Sequence, residues 1–230
     1  MLTQQNFLTI FELEKRKMLR FEKKHVGEQV LMFLRKQILL GELKEGDHLK
    51  ELELSKSLNV SRGPIREAIS QLEKEGLVTT RSNGRTLVNK FDKKDIENLY
   101  DTRILLEKHA VTQITPEKLA KNLPKLNALV EQLESEYKKG IKDVESDLEF
   151  HATIVKMTEN KTLIQLWLSL YGLIQTLIEV TSSFEKLRQE KIISEHKSIL
   201  DSLVEGDVER TQQFIEQHIR GVQLMVSKEL

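Results

Sequence analysis

The chain contains no cysteine. That excludes a disulfide framework, a thiolate metal site and a thiol nucleophile. Only three prolines and ten glycines occur in 230 residues, and aromatic residues make up 5%. Folds built from many short strands need frequent glycine and proline at their turns, so a mostly helical protein is expected. No long apolar run stands near the N-terminus. The residues of MLTQQNFLTIFELEKRKMLRF are interrupted by Glu12, Glu14 and Lys15, unlike a secretory signal. The longest uncharged run, Thr162 to Ile178, has 17 residues and includes Gln165, Ser169, Gln175 and Thr176. It reads as the buried central helix of a soluble bundle rather than a membrane span. A cytoplasmic protein with no membrane partner is therefore expected.

What is present is charge, unevenly placed. Net charge is zero overall. Residues 1–90 nevertheless carry 17 basic and 12 acidic side chains, while the remainder has a net charge of −5. A basic end on an acidic body points toward a polyanion at that end.

Three regions follow: an N-terminal extension (1–24), a small mixed domain (25–90) and a longer helical domain (91–230). Residues 7–24 carry Phe7, Ile10, Phe11, Met18 and Phe21 at loosely helical spacing, either an extra amphipathic helix or an arm. From His25 the apolar spacing of Val26, Val30, Phe33, Leu34 and Ile38 predicts a helix ending at Gly41. The segment ELELSKSLNV predicts a two-turn helix with Leu52, Leu54 and Leu58 inward. Ser61 is placed to cap the next helix with its hydroxyl, and Pro64 falls in the first turn. Ile65, Ala68, Ile69 and Leu72 form that helix's inner stripe. LVTTR and RTLVNK flank Ser82-Asn83-Gly84 and predict a β-hairpin with a three-residue loop. Helix, helix-turn-helix and hairpin together make a winged helix-turn-helix. Beyond Phe91 six helices are expected, near 92–113, 116–139, 141–158, 161–183, 186–204 and 207–228, forming an antiparallel all-α bundle.

Two constellations carry chemistry. On the helix after Ser61, Arg62 and Arg66 lie one turn apart, opposite the apolar stripe. A DNA-recognition helix needs one stripe in the core and another turned outward near its N-terminus. Arginine matches a guanine edge or a phosphate bidentately. Lys50, Lys56 and Ser61 sit where phosphates of double-stranded DNA can be met, and Arg81, Asn83, Gly84 and Arg85 form the wing tip. Each alone is equally an ordinary solvated charge; the ordered set is what points to DNA. The second constellation is histidine. Asp147 and His151 are four apart on one helix, His196 follows in the fifth bundle helix and His218 in the sixth. Three imidazoles and a carboxylate can converge on Zn, Ni, Mn or Fe. Lone histidines are also commonly structural, and His25, His48 and His109 are read that way.

The stretch ILLGELKEGDHLKELELSKSLNVSRGPIREAISQLEKEGLV with NGRTLV closely resembles the GntR family of bacterial regulators, most specifically at Val60 to Ala68. Gly63 departs from the small hydroxyl residue often found there, and Leu52 stands where some branches carry a base-reading arginine. Residues 92–230 resemble the FCD ligand-binding domain, in its six-helix VanR-like form. Its hallmarks here are Arg103 to Glu107, Asp147 to His151, Asn160, Glu195-His196, Gly206-Asp207 and His218. The resemblance implies a homodimer on operator DNA. It places a divalent metal on Asp147, His151, His196 and His218, and it implies a small carboxylic-acid effector. Arg103 is expected to meet the effector carboxylate, or else to pair with Glu107 one turn on. Asn160 either touches the effector or caps its helix. A metal-dependent hydrolase and a metal-stapled interaction module are the alternatives. The hydrolase lacks an evident base, because Glu149 points to another face than Asp147.

Overall fold

The computed structural model describes residues 26–181 and 186–230, without the side chains of 186–188. The expected helix or arm within residues 7–24 lies outside them. Among the described residues the chain divides into two compact units between Phe91 and Asp92.

The first unit contains α1 (Val26–Leu39), α2 (Glu51–Leu58), α3 (Arg62–Lys74), β1 (Val78–Thr80) and β2 (Thr86–Val88). Helices α1 and α3 pack on each other, with Val30, Phe33, Leu34 and Ile38 against Ile65, Ala68, Ile69 and Leu72, all buried. Arg35 joins them polarly, with Nε and Nη2 donating to the two oxygens of Glu75 at 2.8 and 2.7 Å. Asn59, in the left-handed region at φ 54°, ends α2 and turns the chain into α3. Leu54 and Leu58 are buried as expected, but Leu52 is 55% exposed. At 100° per residue Leu52 stands about 200° from Leu54, so the two cannot share one helix face.

The hairpin pairs β1 antiparallel with β2. The Arg81 N–H donates to the Arg85 carbonyl at 2.8 Å, closing the expected loop of Ser82, Asn83 and Gly84. Gly84, at φ 76°, takes the left-handed position that such a loop requires. The segment before α2 meets β2 in an isolated antiparallel bridge, His48 opposite Leu87: the Leu49 N–H donates to the Thr86 carbonyl, and the Val88 N–H to the Asp47 carbonyl.

Among the described residues the elements of the second unit are all helices: α4 (Lys93–Val111), α5 (Pro116–Lys138), α6 (Val144–Lys156), α7 (Lys161–Val180), α8 (Lys186–Glu205) and α9 (Val208–Glu229). The caps are local chemistry. Asp92 and Asp95 form a capping box on α4. The side chains of Thr115, Asp143, Asn160 and Asp207 accept from the first turns of α5, α6, α7 and α9. Helix α4 packs on α6, α7 and α9; α9 also packs on α8, and α5 on α6 and α8. Nearly all of α6 is buried, from Ser146 to Val155 except Glu149, which makes it the bundle's central helix.

That position was expected of α7 instead. Leu163, Trp167, Ile174 and Leu177 of α7 are buried, yet Leu166 and Leu168 are 52% and 40% exposed. Its length and composition would suit a membrane span, but one face packs on the bundle while an apolar face remains open. The uncharged run therefore marks a helix with two apolar faces, only one of them covered among the described residues.

Candidate metal centre and DNA-reading face

Helix α6 presents Asp147 and His151 one turn apart, and α8 and α9 bring His196 and His218 opposite them. One ligand atom from each of the four lies within 4.8 Å of the others. All four residues are buried, the three histidines completely. His196 Nε2 is 3.3 Å and His218 Nε2 3.8 Å from Asp147 Oδ1.

The far side of each imidazole is tied down. His151 Nδ1 lies 2.6 Å from Glu107 Oε2, His196 Nδ1 2.8 Å from the Ile192 carbonyl, and His218 Nδ1 2.9 Å from Glu195 Oε2. Each acceptor calls for a proton on Nδ1, which leaves the Nε2 lone pair pointing into the cluster. This is how metal-binding histidines are oriented and made basic. Burial pushes the pKa of His196 and of His218 down, favouring the neutral, ligating form. Burial would raise Asp147, but the imidazoles and Arg103 around it hold it below the ordinary carboxylate range. All three Nε2 atoms and Asp147 Oδ2 have no hydrogen-bond partner. Buried polar atoms are rarely left so, and four sharing one point fit the coordination of a divalent ion. The residues present therefore suit a metal, which would act there as a positive centre with positions open to an anionic ligand.

Glu107 is a residue whose part here the sequence did not reveal. Completely buried, it accepts from Arg103 Nε (2.8 Å) and Trp167 Nε1 (2.9 Å) on one oxygen and faces His151 with the other. Burial would raise its pKa, but His151 and Arg103 hold it far below the usual carboxylate range. Arg103 thus makes the expected ion pair one turn along α4 and still leaves Nη1 and Nη2 without a partner. Asn160 Oδ1 accepts the Leu163 N–H at 3.1 Å, the capping role. His109 is exposed and paired with Gln113, and His48 is exposed on the wing. Glu149 is tied to Lys125 and Lys156.

In the first unit Arg62 and Arg66 stand exposed on α3, as expected, but not idle. Arg62 Nη2 (2.7 Å) and Arg66 Nε (2.9 Å) both donate to Glu51 Oε2 at the start of α2. The two arginines hold Glu51 below its ordinary pKa. Ser61 occupies the N-cap position, but its hydroxyl makes no cap bond. Lys50 pairs with Glu53 at 2.8 Å, and Lys56 is exposed on α2. On the wing the side chains of Arg81 and Arg85 are exposed, while Asn83 Oδ1 accepts the Arg85 N–H and shapes the loop. The exposed cations and the free hydroxyl form a face that suits a phosphate backbone.

Comparison with known proteins gives two family matches. Residues 27–88 match the model for bacterial regulatory proteins of the gntR family, and residues 98–221 match the FCD domain. An uncharacterized HTH-type transcriptional regulator of Bacillus subtilis, YdhC, is 30% identical over 80% of this chain and 84% of its own length. The gluconate operon transcriptional repressor of Bacillus licheniformis is 24% identical over 86% of this chain and 83% of its own. The structure of E. coli McbR/YncC shares the fold with a TM-score of 0.65 at 20% identity, covering 88% of this chain and 97% of that one.

Proposed function

The chain belongs to the GntR family of bacterial transcription regulators, with a winged helix-turn-helix followed by an FCD domain, and on that premise we propose that a small organic acid, bound beside a metal in the helical domain, sets its affinity for operator DNA. Residues 25–90 are the DNA-binding domain and residues 91–230 the sensing domain, of the six-helix VanR-like form. The single observation that carries this reading is the convergence of His151, His196 and His218 through unpartnered Nε2 atoms on Asp147, with the unpartnered Nη groups of Arg103 also completely buried. The four side chains would hold a divalent ion. Arg103, fixed through Nε by Glu107, offers its remaining N–H groups to a carboxylate as charge-assisted donors. Asn160 supports this indirectly, by capping α7.

Two DNA-binding domains in a homodimer place two α3 helices on a two-fold operator. Arg62 and Arg66 reach base edges or phosphates. Ser61, Lys50, Arg81, Asn83, Gly84 and Arg85 position the backbone. The protein works in the cytoplasm, where that DNA is. The gluconate operon relative supports the choice of an acid, gluconate being a carboxylate.

The test is a titration of operator DNA with and without a panel of acids, on the metal-loaded protein and on His151→Ala. The acid should shift DNA affinity by about 1–3 kcal/mol in the wild type. The shift should vanish in the mutant, while DNA contact without acid persists. A full response in His151→Ala would leave the metal as a structural staple.

A further inference from the structure

Nine buried side-chain nitrogen and oxygen atoms among the described residues have no hydrogen-bond partner, and seven of them belong to one place. Four are the three histidine Nε2 atoms and Asp147 Oδ2. The other three are Arg103 Nη1, Arg103 Nη2 and the hydroxyl of Tyr100. The first four suit a metal. The last three do not, because guanidinium N–H groups never ligate and a phenol proton is surrendered only at high pH. Burial in addition pushes the Tyr100 pKa up, so the hydroxyl keeps its proton.

Tyr100 and Arg103 sit one turn apart on α4, so their side chains share a face. Both are completely buried. The Tyr100 phenol lies close enough to Arg103 and Asp147 for both charges to act on it. Three N–H or O–H donors thus stand beside the metal ligands without an acceptor. Leaving them empty is costly, more so for a buried cation. A ligand rich in acceptors removes that cost for all three at once.

Charge sets how much negative charge that ligand brings. Arg103 and Glu107 cancel as a direct ion pair. Three neutral imidazoles and the Asp147 carboxylate leave a divalent ion with one net positive charge. Glu195, 2.9 Å from His218 Nδ1, is faced by Lys191 at 3.7 Å, and the half-buried Lys142, which also feels Asp147, is shared with Glu179 and Glu229. One negative charge therefore neutralises the interior, and a second would be buried without a counter-charge, which is costly in a medium of low dielectric.

We infer that Tyr100 is an effector-reading residue, donating with Arg103 to one carboxylate, and that the site thereby selects monocarboxylates over di- and tricarboxylates. The inference rests on the acid-sensing reading above and narrows it. Tyr100 touches no metal ligand through a hydrogen bond, so its loss leaves the metal in place.

The test uses the full-length metal-loaded protein and isothermal titration with acetate, lactate and gluconate against malonate, malate and succinate, with metal content measured after each. The monocarboxylates should bind at least tenfold tighter than the dicarboxylate nearest in size. Tyr100→Phe should lose about tenfold in affinity for the monocarboxylate that binds best, the usual scale for a hydrogen bond to a charged group. The acid-free melting temperature separates reading from structure. In Tyr100→Phe it should hold or rise, because an unpartnered hydroxyl is removed; a structural tyrosine would lower it. Dicarboxylates binding as tightly, an unchanged affinity in Tyr100→Phe, or a fall in its acid-free melting temperature each overturn the inference and leave acid sensing intact. No saturable heat from any acid overturns acid sensing itself.

Discussion

Glu107 Oε2 lies 2.6 Å from His151 Nδ1, and neither side chain touches solvent. The contact joins α4 to α6 and decides which imidazole nitrogen faces the metal cluster. The same carboxylate holds Arg103 and the Trp167 indole, so one side chain links the candidate ligand His151, the candidate acid-binding Arg103 and α7. Glu107→Gln keeps the shape but offers an amide where a charged acceptor stood. Metal affinity should fall by about 10–100-fold, the usual effect of losing such a partner. A competitive chelator titration measures it. Unchanged affinity with native circular dichroism would show that His151 is oriented without Glu107.

Removing the metal should destabilise the helical unit. Ligands on α6, α8 and α9 close three segments far apart in sequence, and an ion bound to the folded state only stabilises it by mass action. At a free ion concentration about a hundred times Kd the effect is about 2.7 kcal/mol. A chelator should lower the melting temperature of wild type and do nothing to His196→Ala with His218→Ala combined. Full metal content in that double variant would refute the site.

The sequence made the ligand set readable because a local rule links its first pair. Asp147 and His151 are four apart on a helix whose ends are marked by Asp143 and by the turn before Asn160. His196 and His218 stand out only as histidines on two later helices, which no local spacing connects, and the family pattern strengthens their place in the set. Glu107 was visible only as the i, i+4 partner of Arg103. Its contacts with His151 and Trp167 span 44 and 60 residues, and no periodicity encodes such distances. Leu52 is exposed because apolar character alone does not fix burial: its angle to Leu54 turns it outward. The apolar run in α7 misled because composition cannot tell a helix enclosed by its own chain from one left open on one side.

Arg62 and Arg66 are bound by one acceptor, so two effects compete when DNA arrives. Either arginine changed to alanine should cost about 1–3 kcal/mol of operator affinity if it reads a base. Glu51→Gln should act the other way on non-specific DNA, because a carboxylate next to phosphates repels them. A rise of several-fold in affinity for random duplex is expected, measured by fluorescence anisotropy. Glu51 has a lowered pKa, so it is ionised above the ordinary carboxylate range and loses its charge only on stronger acidification. The ratio between mutant and wild type should therefore stay constant between about pH 6 and pH 8. Equal binding by wild type and Glu51→Gln would show that the carboxylate swings clear of the DNA.

Salt should act strongly on the same contact. A dimer contributing Lys50, Arg62, Arg66, Arg81 and Arg85 twice would neutralise several phosphates. The logarithm of affinity should then fall with the logarithm of salt by about 0.9 per phosphate met. Arg85→Ala, on the wing, should lower that slope by about two per dimer while leaving sequence preference unchanged. A flat dependence in wild type would argue against phosphate contact on this face.

The open faces of α4 and α7 lead to the last prediction. Leu105 on α4 is 68% exposed and Leu166 on α7 is 52% exposed, and the two helices pack side by side. Apolar area left to water costs about 25 cal/mol per Å², so a second copy covering these leucines would be stabilised by their burial. The same helices carry Arg103, Glu107 and Trp167 on their inner sides, so an acid bound within the bundle can alter how the two outer faces meet. Leu105→Glu combined with Leu166→Glu would place two carboxylates from each copy in such an interface. Sedimentation should then report a dimer for the wild type and a monomer for the double variant. Circular dichroism should not change, since both leucines are more than half exposed and contribute little to packing among the described residues. Operator affinity should drop by a factor of about 10² or more, because each DNA-binding unit must then find its half-site without the other. Non-specific binding per unit should change far less. A double variant that remains a dimer would place the interface on another face and leave these leucines to some other partner.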